Sequence, residues 1–318
     1  MVTTFDTRDS RHNAWGKAPG DIARILADAF GCRTVILPRR IFGAGRSLIF
    51  RIFAKIWWKI SLLGYFIRFP RREKVLFQGH FLYFYGLTGY AFVKRLVKFK
   101  RCEYAFLIHD LPGHMQGDDF GDKPLPEGFV ALANASRGVI VHNAKMLEWF
   151  AKRGILREKL VNLEIFDYLA VNDSAAKREI APCAANGPRI VFAGNLSHEK
   201  SPFLAKIGEI PGIQWELYGN PAPQEMPGIS YRGSLPPDEL PAAMRGEFGL
   251  VWDGETIDGC TGPAGSYLRL NNPHKMSLYL AAGFPVIVWR EAAQADFVKR
   301  YACGILVDSL EVHLGKGL

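Results

Sequence analysis

The chain has 318 residues, 48% of them hydrophobic, enough for a globular protein with two cores. Its net charge of +9 calls for an acidic partner: nucleic acid, an anionic membrane surface or a phosphorylated substrate. The five cysteines (Cys32, Cys102, Cys183, Cys260 and Cys303) are scattered, odd in number and without a CxxC, which argues against a disulfide framework or a zinc site and makes a reducing cytoplasm the simplest compartment.

Residues 1–21 are polar and charged, so no cleavable signal peptide is expected. A short first strand leads into the loop NAWGKAPGD, which places Gly16, Lys17 and Gly20 between strand and helix. Ile22, Ile25, Leu26 and Phe30 then recur at helical spacing, Gly31 ends that helix, and TVILP (34–38) is a second strand. The loop lies where open α/β sheets bind ligands, but it is not a GxGxxG, and a plain connection accounts for it better than a phosphate loop.

Residues 39–75 combine a dense apolar run with Arg51, Lys55 and Lys59 at every fourth position. On a helix these cations share one face, and charges this regular argue against a transmembrane span. The pattern suits a helix lying in the headgroup layer of a membrane, with Trp57 and Trp58 at the interface and Arg39, Arg40, Arg71, Arg72 and Lys74 flanking it. A core helix with a solvated basic stripe is the bland alternative. No nucleic-acid module is visible.

KVLFQ (74–78) reads as a strand, residues 87–100 as a helix, and YAFLIHD (104–110) as a buried strand ending in His109 and Asp110. Either side chain can accept a proton from a hydroxyl, and because strand neighbours point to opposite faces, at most one is expected to face a crevice. The Gly- and Pro-rich loop 111–128 suits a lid or acceptor loop, and its Asp118, Asp119 and Asp122 lack calcium-loop spacing. GVIVHN (138–143), a helix over Lys145 to Arg153, and a last strand within 159–169 complete the first half.

Residues 171–188 are polar with Pro and Gly, as in a linker. The alternation then restarts with RIVFAGN, SPFLAKIGEI, IQWELYGN, ISYRGSL, PPDELPAAMRG and FGLVWDG. NNPHKMSLYLAAGFPVIVW (271–289) reads as a helix start carrying Lys275, a Gly283 stop and a buried strand, a place suited to an anion. The expected fold class is α/β, with two doubly wound domains facing a cleft: residues 1–172, including the basic aromatic segment at about 39–75, and residues 186–318.

The run of GN, YGN, YRG, FGLVW and NNPHKMSLYLAAGFPVIVW, together with NAWGKAPGD and LIHD, resembles the GT-B glycosyltransferases. More narrowly it is similar to the bacterial β-1,6-galactofuranosyltransferases and the streptococcal adhesin glucosyltransferase. The resemblance implies two Rossmann-like domains and an inverting hexosyl transfer from a UDP-sugar, without metal or other cofactor. The donor would bind to the C-terminal domain, through Gly194, Asn195, Tyr218, Arg232 and Gly233, with Asn272, Lys275 and Ser277 on the diphosphate. Where relatives often carry an arginine after the GN, this loop reads LSHEK, so His198 or Lys200 would substitute. Asp110 or His109 would serve as base, with Asn13, Lys17, Asp21 and His80 on the acceptor side.

The acceptor is expected to be a glycan, lipid-linked in cell-surface polysaccharide or glycoconjugate synthesis, at the inner face of the membrane. No nucleic-acid partner is expected, and self-association into a homo-oligomer stays open. The alternative is a membrane-associated nucleotide-sugar-binding scaffold without catalysis. Family members usually end in a helix that crosses back to the first domain, whereas this sequence ends at EVHLGKGL soon after its last strand.

Overall fold

The computed structural model describes residues 2–6, 16–36, 47–78, 89–111, 124–170, 187–224 and 227–315. Asn13, His80, most of the loop 111–128 and nearly all of 171–188 lie outside the described residues.

The N-terminal half comprises β1 (Val2–Asp6), α1 (Lys17–Phe30), β2 (Arg33–Ile36), α2 (Leu48–Arg68), β3 (Lys74–Gln78), a helix over 89–100 (α3) whose last turn Leu96–Lys100 is π-helical, β4 (Glu103–Leu107), α4 (Glu127–Ala135), β5 (Val139–Val141), α5 (Ala144–Ala151) and β6 (Leu160–Asn162). All strand pairs are parallel, in the order β2-β1-β3-β4-β5-β6. Strands such as β4, buried at Tyr104, Phe106 and Leu107, are covered on both faces by the crossover helices, which is why they read as near-continuous apolar runs.

The C-terminal half comprises β7 (Arg189–Asn195), α6 (Leu204–Ile207), β8 (Gln214–Asn220), β9 (Ile229–Tyr231), α7 (Leu240–Ala243), β10 (Phe248–Val251), α8 (Gly262–Tyr267), α9 (His274–Ala281), β11 (Val286–Trp289), α10 (Ala295–Tyr301), β12 (Gly304–Val307) and α11 (Leu310–Leu314). Its order is β12-β11-β10-β7-β8-β9, again parallel. The chain builds outward from β7 to β9, then returns to the other side of β7 and builds β10 to β12.

Several elements differ from their sequence expectation. The strand sought in 159–169 is only Leu160–Asn162, and 163–170 runs on as an irregular segment between the two domains. The helices expected in SPFLAKIGEI and PPDELPAAMRG shrink to four residues each, between prolines and glycines. Helix α8, in TGPAGSYLRL, and the last helix, α11, are too short to show a helical period in the sequence.

Helix α2 buries only one side. Trp58, Leu62 and Phe69 join the N-terminal core, while Lys55, Lys59 and Trp57 face outward. The two tryptophans therefore part company, Trp58 at 2% exposure and Trp57 at 58%.

Candidate functional site

In an open parallel sheet, ligands bind beyond the carboxyl ends of the strands, at the point where strand order reverses. In the C-terminal sheet that point lies between β7 and β10. Gly194 and Asn195 end β7, Trp252 and Asp253 follow β10, and α9 begins close by at His274.

Helix α9 is fixed in this position by Tyr279. Its hydroxyl accepts the Ala193 N–H at 2.8 Å. Its ring lies against Gly249 of β10, where a Cβ would come within 2.3 Å of it. The start of α9 has Pro273 at the cap position and no side-chain cap, so the first-turn N–H groups are not spent on one.

Lys275, in that first turn, does not project freely. Its Nζ donates to the Trp252 carbonyl and to Asp253 Oδ1, each at 3.0 Å, and lies 4.5 Å from the centre of the Phe192 ring. Burial lowers its pKa and Asp253 opposes that shift. Asp253 was not singled out in the sequence, although an aspartate ending FGLVWD at a strand's carboxyl end is a legible signal.

Asn195 shapes the neighbouring loop. Its Oδ1 accepts the Ser197 N–H at 2.8 Å, and its carbonyl accepts the Ser201 hydroxyl at 2.8 Å. The glycines of the GN and YGN motifs pair in register, Gly194 with Gly219, and a Cβ on Gly219 would meet the Gly194 carbonyl oxygen at 1.8 Å. Close strand pairing is thus one physical reason for these motifs. The loop carries His198, exposed, and Lys200, half-buried. Among the described residues Lys200 makes no side-chain hydrogen bond or ion pair. Its charge bears on Lys275, where it adds to the lowering by burial, and on Asp110 in the other domain, where it opposes the raising by burial.

Asp110 and His109 follow β4 and separate. The Gln78 amide donates through Nε2 to the Pro19 carbonyl at 3.1 Å, so its Oε1 accepts and His109 Nε2 donates, at 2.6 Å. The His109 ring stacks on Phe166, centroids 4.9 Å apart and planes 10° from parallel. His109 is thereby held inside the N-terminal domain. Asp110 is half-buried and its Oδ1 accepts the Tyr267 hydroxyl at 3.2 Å. Burial pushes the Asp110 pKa up from 3.8 to about 7, with Tyr267 and Lys200 pulling the other way.

Several residues expected at the ligand have other work. Asn272, expected at the diphosphate, donates through Nδ2 to the carbonyls of Glu164 and His142, and its Oδ1 accepts Asn143 Nδ2 at 2.8 Å. It ties the two domains. Lys17 and Asp21 are expected on the acceptor side. Lys17 Nζ instead donates to Asp21 Oδ1 (2.7 Å), the Leu169 carbonyl (2.7 Å) and Asp238 Oδ1 of the C-terminal domain (2.6 Å), while Asp21 Oδ2 accepts the Leu169 N–H at 2.9 Å.

Tyr218 is buried, its hydroxyl donating to the Ala243 carbonyl at 3.3 Å and accepting the Arg245 N–H at 3.2 Å, so it does not line an open pocket. Arg232 forks onto buried Glu216 at 2.5 and 3.0 Å. Gly233 takes a left-handed turn, φ +84°, and its carbonyl accepts the Gly219 N–H. Ser277 is buried in α9.

No local pattern in the sequence marks the segment that separates the domains. Phe166 is enclosed by three histidines: His109, His142 edge-on at 4.6 Å and His274 at 6.3 Å. Tyr168 stacks on His274 at 5.0 Å and donates its hydroxyl to the Pro237 carbonyl at 2.6 Å. His142 Nε2 donates to the Ile108 carbonyl and His274 Nε2 to that of Asp167. Burial lowers the pKa of both to about 4.

Comparison with known proteins adds to this geometry. The model of the glucosyltransferase 3-like C-terminal domain matches residues 190–313, and that of the glucosyltransferase 3-like N-terminal domain matches residues 65–165. Beta-1,6-galactofuranosyltransferase WbbI of Escherichia coli (strain K12) is 34% identical over 227 residues, 70% of this chain and 61% of that protein. Glucosyltransferase 3 of Streptococcus gordonii is 29% identical over 230 residues, with the same coverage of 70% and 61%. The chain thus spans 61% of the length of these curated relatives. Among solved structures, alpha,alpha-trehalose 6-phosphate synthase from Burkholderia multivorans is similar with a TM-score of 0.52 at 11% identity, covering 96% of this chain and 85% of that one. A structure of trehalose-6-phosphate synthase studied with bisubstrate glycomimetics also gives 0.52, at 10% identity, covering 96% and 87%. The shared fold is GT-B.

Proposed function

The chain belongs to the glucosyltransferase 3-like family, both of whose domains it carries, and from that premise we propose that it transfers a hexose, galactofuranose or glucose, from a UDP-sugar to a glycan acceptor. The donor lies against the C-terminal domain, with its diphosphate between Lys200 and the amino end of α9. An acceptor hydroxyl approaches from the N-terminal domain. Its oxygen attacks C1 of the sugar while its proton passes to Asp110, and the bond from C1 to the UDP oxygen breaks in the same displacement, with inversion. The charge growing on the leaving diphosphate is met by Lys200, the first-turn amides of α9 and Lys275, without a metal ion.

The observation that carries this reading is the placement of Asp110. It is a carboxyl with a pKa of about 7, and the charge of Lys200 acts both on it and on Lys275 at the switch point. A base whose pKa lies near the working pH is well matched to taking a proton from a hydroxyl.

The acceptor in this reading is a glycan carried on a lipid, and the protein works on the inner face of the cell membrane. The net charge of +9 supports an anionic surface as partner. Among the described residues no helix is long and apolar enough to cross a membrane.

The test is UDP release by the purified protein from UDP-glucose, UDP-galactose and UDP-galactofuranose, with and without oligosaccharide or lipid-linked acceptors. One donor should give acceptor-dependent release, lowered roughly 10²- to 10⁴-fold in Asp110→Asn. Equal turnover by Asp110→Asn would overturn the assignment of the base, and no release from any donor would overturn the transfer itself.

A further inference from the structure

Helix α2 is amphipathic twice over. Its inner side, Trp58, Leu62 and Phe69, packs in the N-terminal core. Its outer side carries Ile49, Ile52, Phe53, Ile56, Ile60, Leu63 and Ile67, each between 49% and 68% exposed. At about 3.6 residues per turn these seven fall in a stripe roughly 100° wide, opposite the buried face. Trp57 borders the stripe on one side, and Lys55 and Lys59 border it on the other. An apolar stripe of this length on a soluble surface marks something that covers it.

The last turn of α3 extends the same surface. Phe99 is exposed and meets Phe66 of α2 edge-on at 6.4 Å, while Lys100 donates to the Ile67 carbonyl at 3.0 Å. Residues 47–72 and 89–101 hold six and five Lys or Arg, and neither stretch holds an Asp or Glu. Among the described residues Lys55, Lys59, Arg68 and Arg71 are exposed and pair with no carboxylate.

We infer that the outer face of α2, with the last turn of α3, docks on an anionic lipid bilayer. Large aliphatic side chains flanked by unpaired cations and an interfacial tryptophan match the boundary between acyl chains and acidic headgroups. A second copy of the chain would set like charges against each other, and a nucleic-acid backbone would leave the isoleucines without an apolar partner. The inference deepens the proposed lipid-carried acceptor and rests on that reading for its purpose.

The test is co-sedimentation of the full chain with vesicles of phosphatidylcholine alone and of phosphatidylcholine mixed with phosphatidylglycerol. Binding is expected to the mixed vesicles only, and to fall as salt shortens the screening length. Lys55→Glu/Lys59→Glu should weaken it by roughly tenfold or more. Ile56→Ser/Ile60→Ser, which keeps every charge, should weaken it too, and the wild-type emission should shift to the blue on binding in a way that Trp57→Phe lacks. All these positions are exposed, and unchanged thermal melts confirm folding. No binding to mixed vesicles, or binding by either double variant as tight as that of wild type, overturns the inference. So does a wild-type dimer that Ile56→Ser/Ile60→Ser converts to a monomer. UDP release measured without vesicles separates the two readings: it should be the same in wild type and both double variants, and its absence alongside intact vesicle binding would sink the enzymatic reading while leaving the surface.

Discussion

Tyr267 lies in the C-terminal half but belongs to the core of the N-terminal domain, where its hydroxyl donates to Asp110 Oδ1 at 3.2 Å and accepts the Leu111 N–H at 2.9 Å. One side chain thus fixes the position of α8 against the other domain and steadies the proposed base. Tyr267→Phe removes a bond to the charged form of Asp110, so its pKa should rise further above about 7. The acid limb of the pH–rate profile should move to higher pH, with activity falling several-fold at pH 7 and recovering at pH 9. The buried Leu111 N–H loses its partner, which costs about 1–3 kcal/mol, readable as a lower urea midpoint.

Asp110 itself carries a stability penalty. Its folded pKa of about 7 lies above its ordinary 3.8, so between those values the unfolded chain has released a proton that the folded chain keeps. Folding stability is lost as pH rises through that window, and the loss is complete above pH 7. Asp110→Asn should therefore melt a few degrees higher than wild type at pH 8, while the two should melt alike at pH 3.5. A lower melting temperature at pH 8 would contradict the burial cost assigned to this carboxylate.

His142 and His274 act in the opposite sense. Their folded pKa values of about 4 lie below the ordinary 6.5. As pH falls from 6.5 to 4 the unfolded chain takes up protons that the native state refuses, and stability is lost. Asp110 offsets part of this in wild type. Denaturant midpoints should fall more steeply with acid in Asp110→Asn than in wild type, and less steeply in His142→Gln/His274→Gln.

Lys275 and Lys200 call for different experiments. Lys275 forms a buried pair with Asp253, so Lys275→Ala strands a buried carboxylate and should cost about 3–5 kcal/mol of stability, mixing folding with catalysis. Replacing both members, Lys275→Met with Asp253→Leu, should restore much of the melting temperature but not the turnover. Among the described residues Lys200 has no such partner. Lys200→Ala should leave the melting temperature within a degree or two of wild type while weakening UDP binding measured by calorimetry. Unchanged UDP affinity would remove Lys200 from the donor site.

The alternation of apolar strand and amphipathic helix is written locally, and it made two doubly wound domains legible from residue order alone. So were the helix start at Lys275 and the strand end at His109 and Asp110, because a strand's end and a helix's first turn follow from composition within a few residues. The sequence was silent where a polar side chain could meet a partner far along the chain. Asn272 and Lys17 have the chemistry of ligand-binding groups, yet folding spends them on Glu164, Asn143 and Asp238 to hold the domains together.

By itself, then, the sequence determined the fold class, the strand end at His109 and Asp110, the helix start at Lys275, and the basic, apolar character of α2. Only the tertiary structure decided that His109 turns inward to Gln78 while Asp110 meets Tyr267, that Lys275 is held by Asp253 while Lys200 pairs with none of the described residues, and that Trp58 is core while Trp57 is surface. The reason is physical. Periodicity is a property of neighbours in the chain, whereas burial, ion pairing and the pKa values they set depend on neighbours in space.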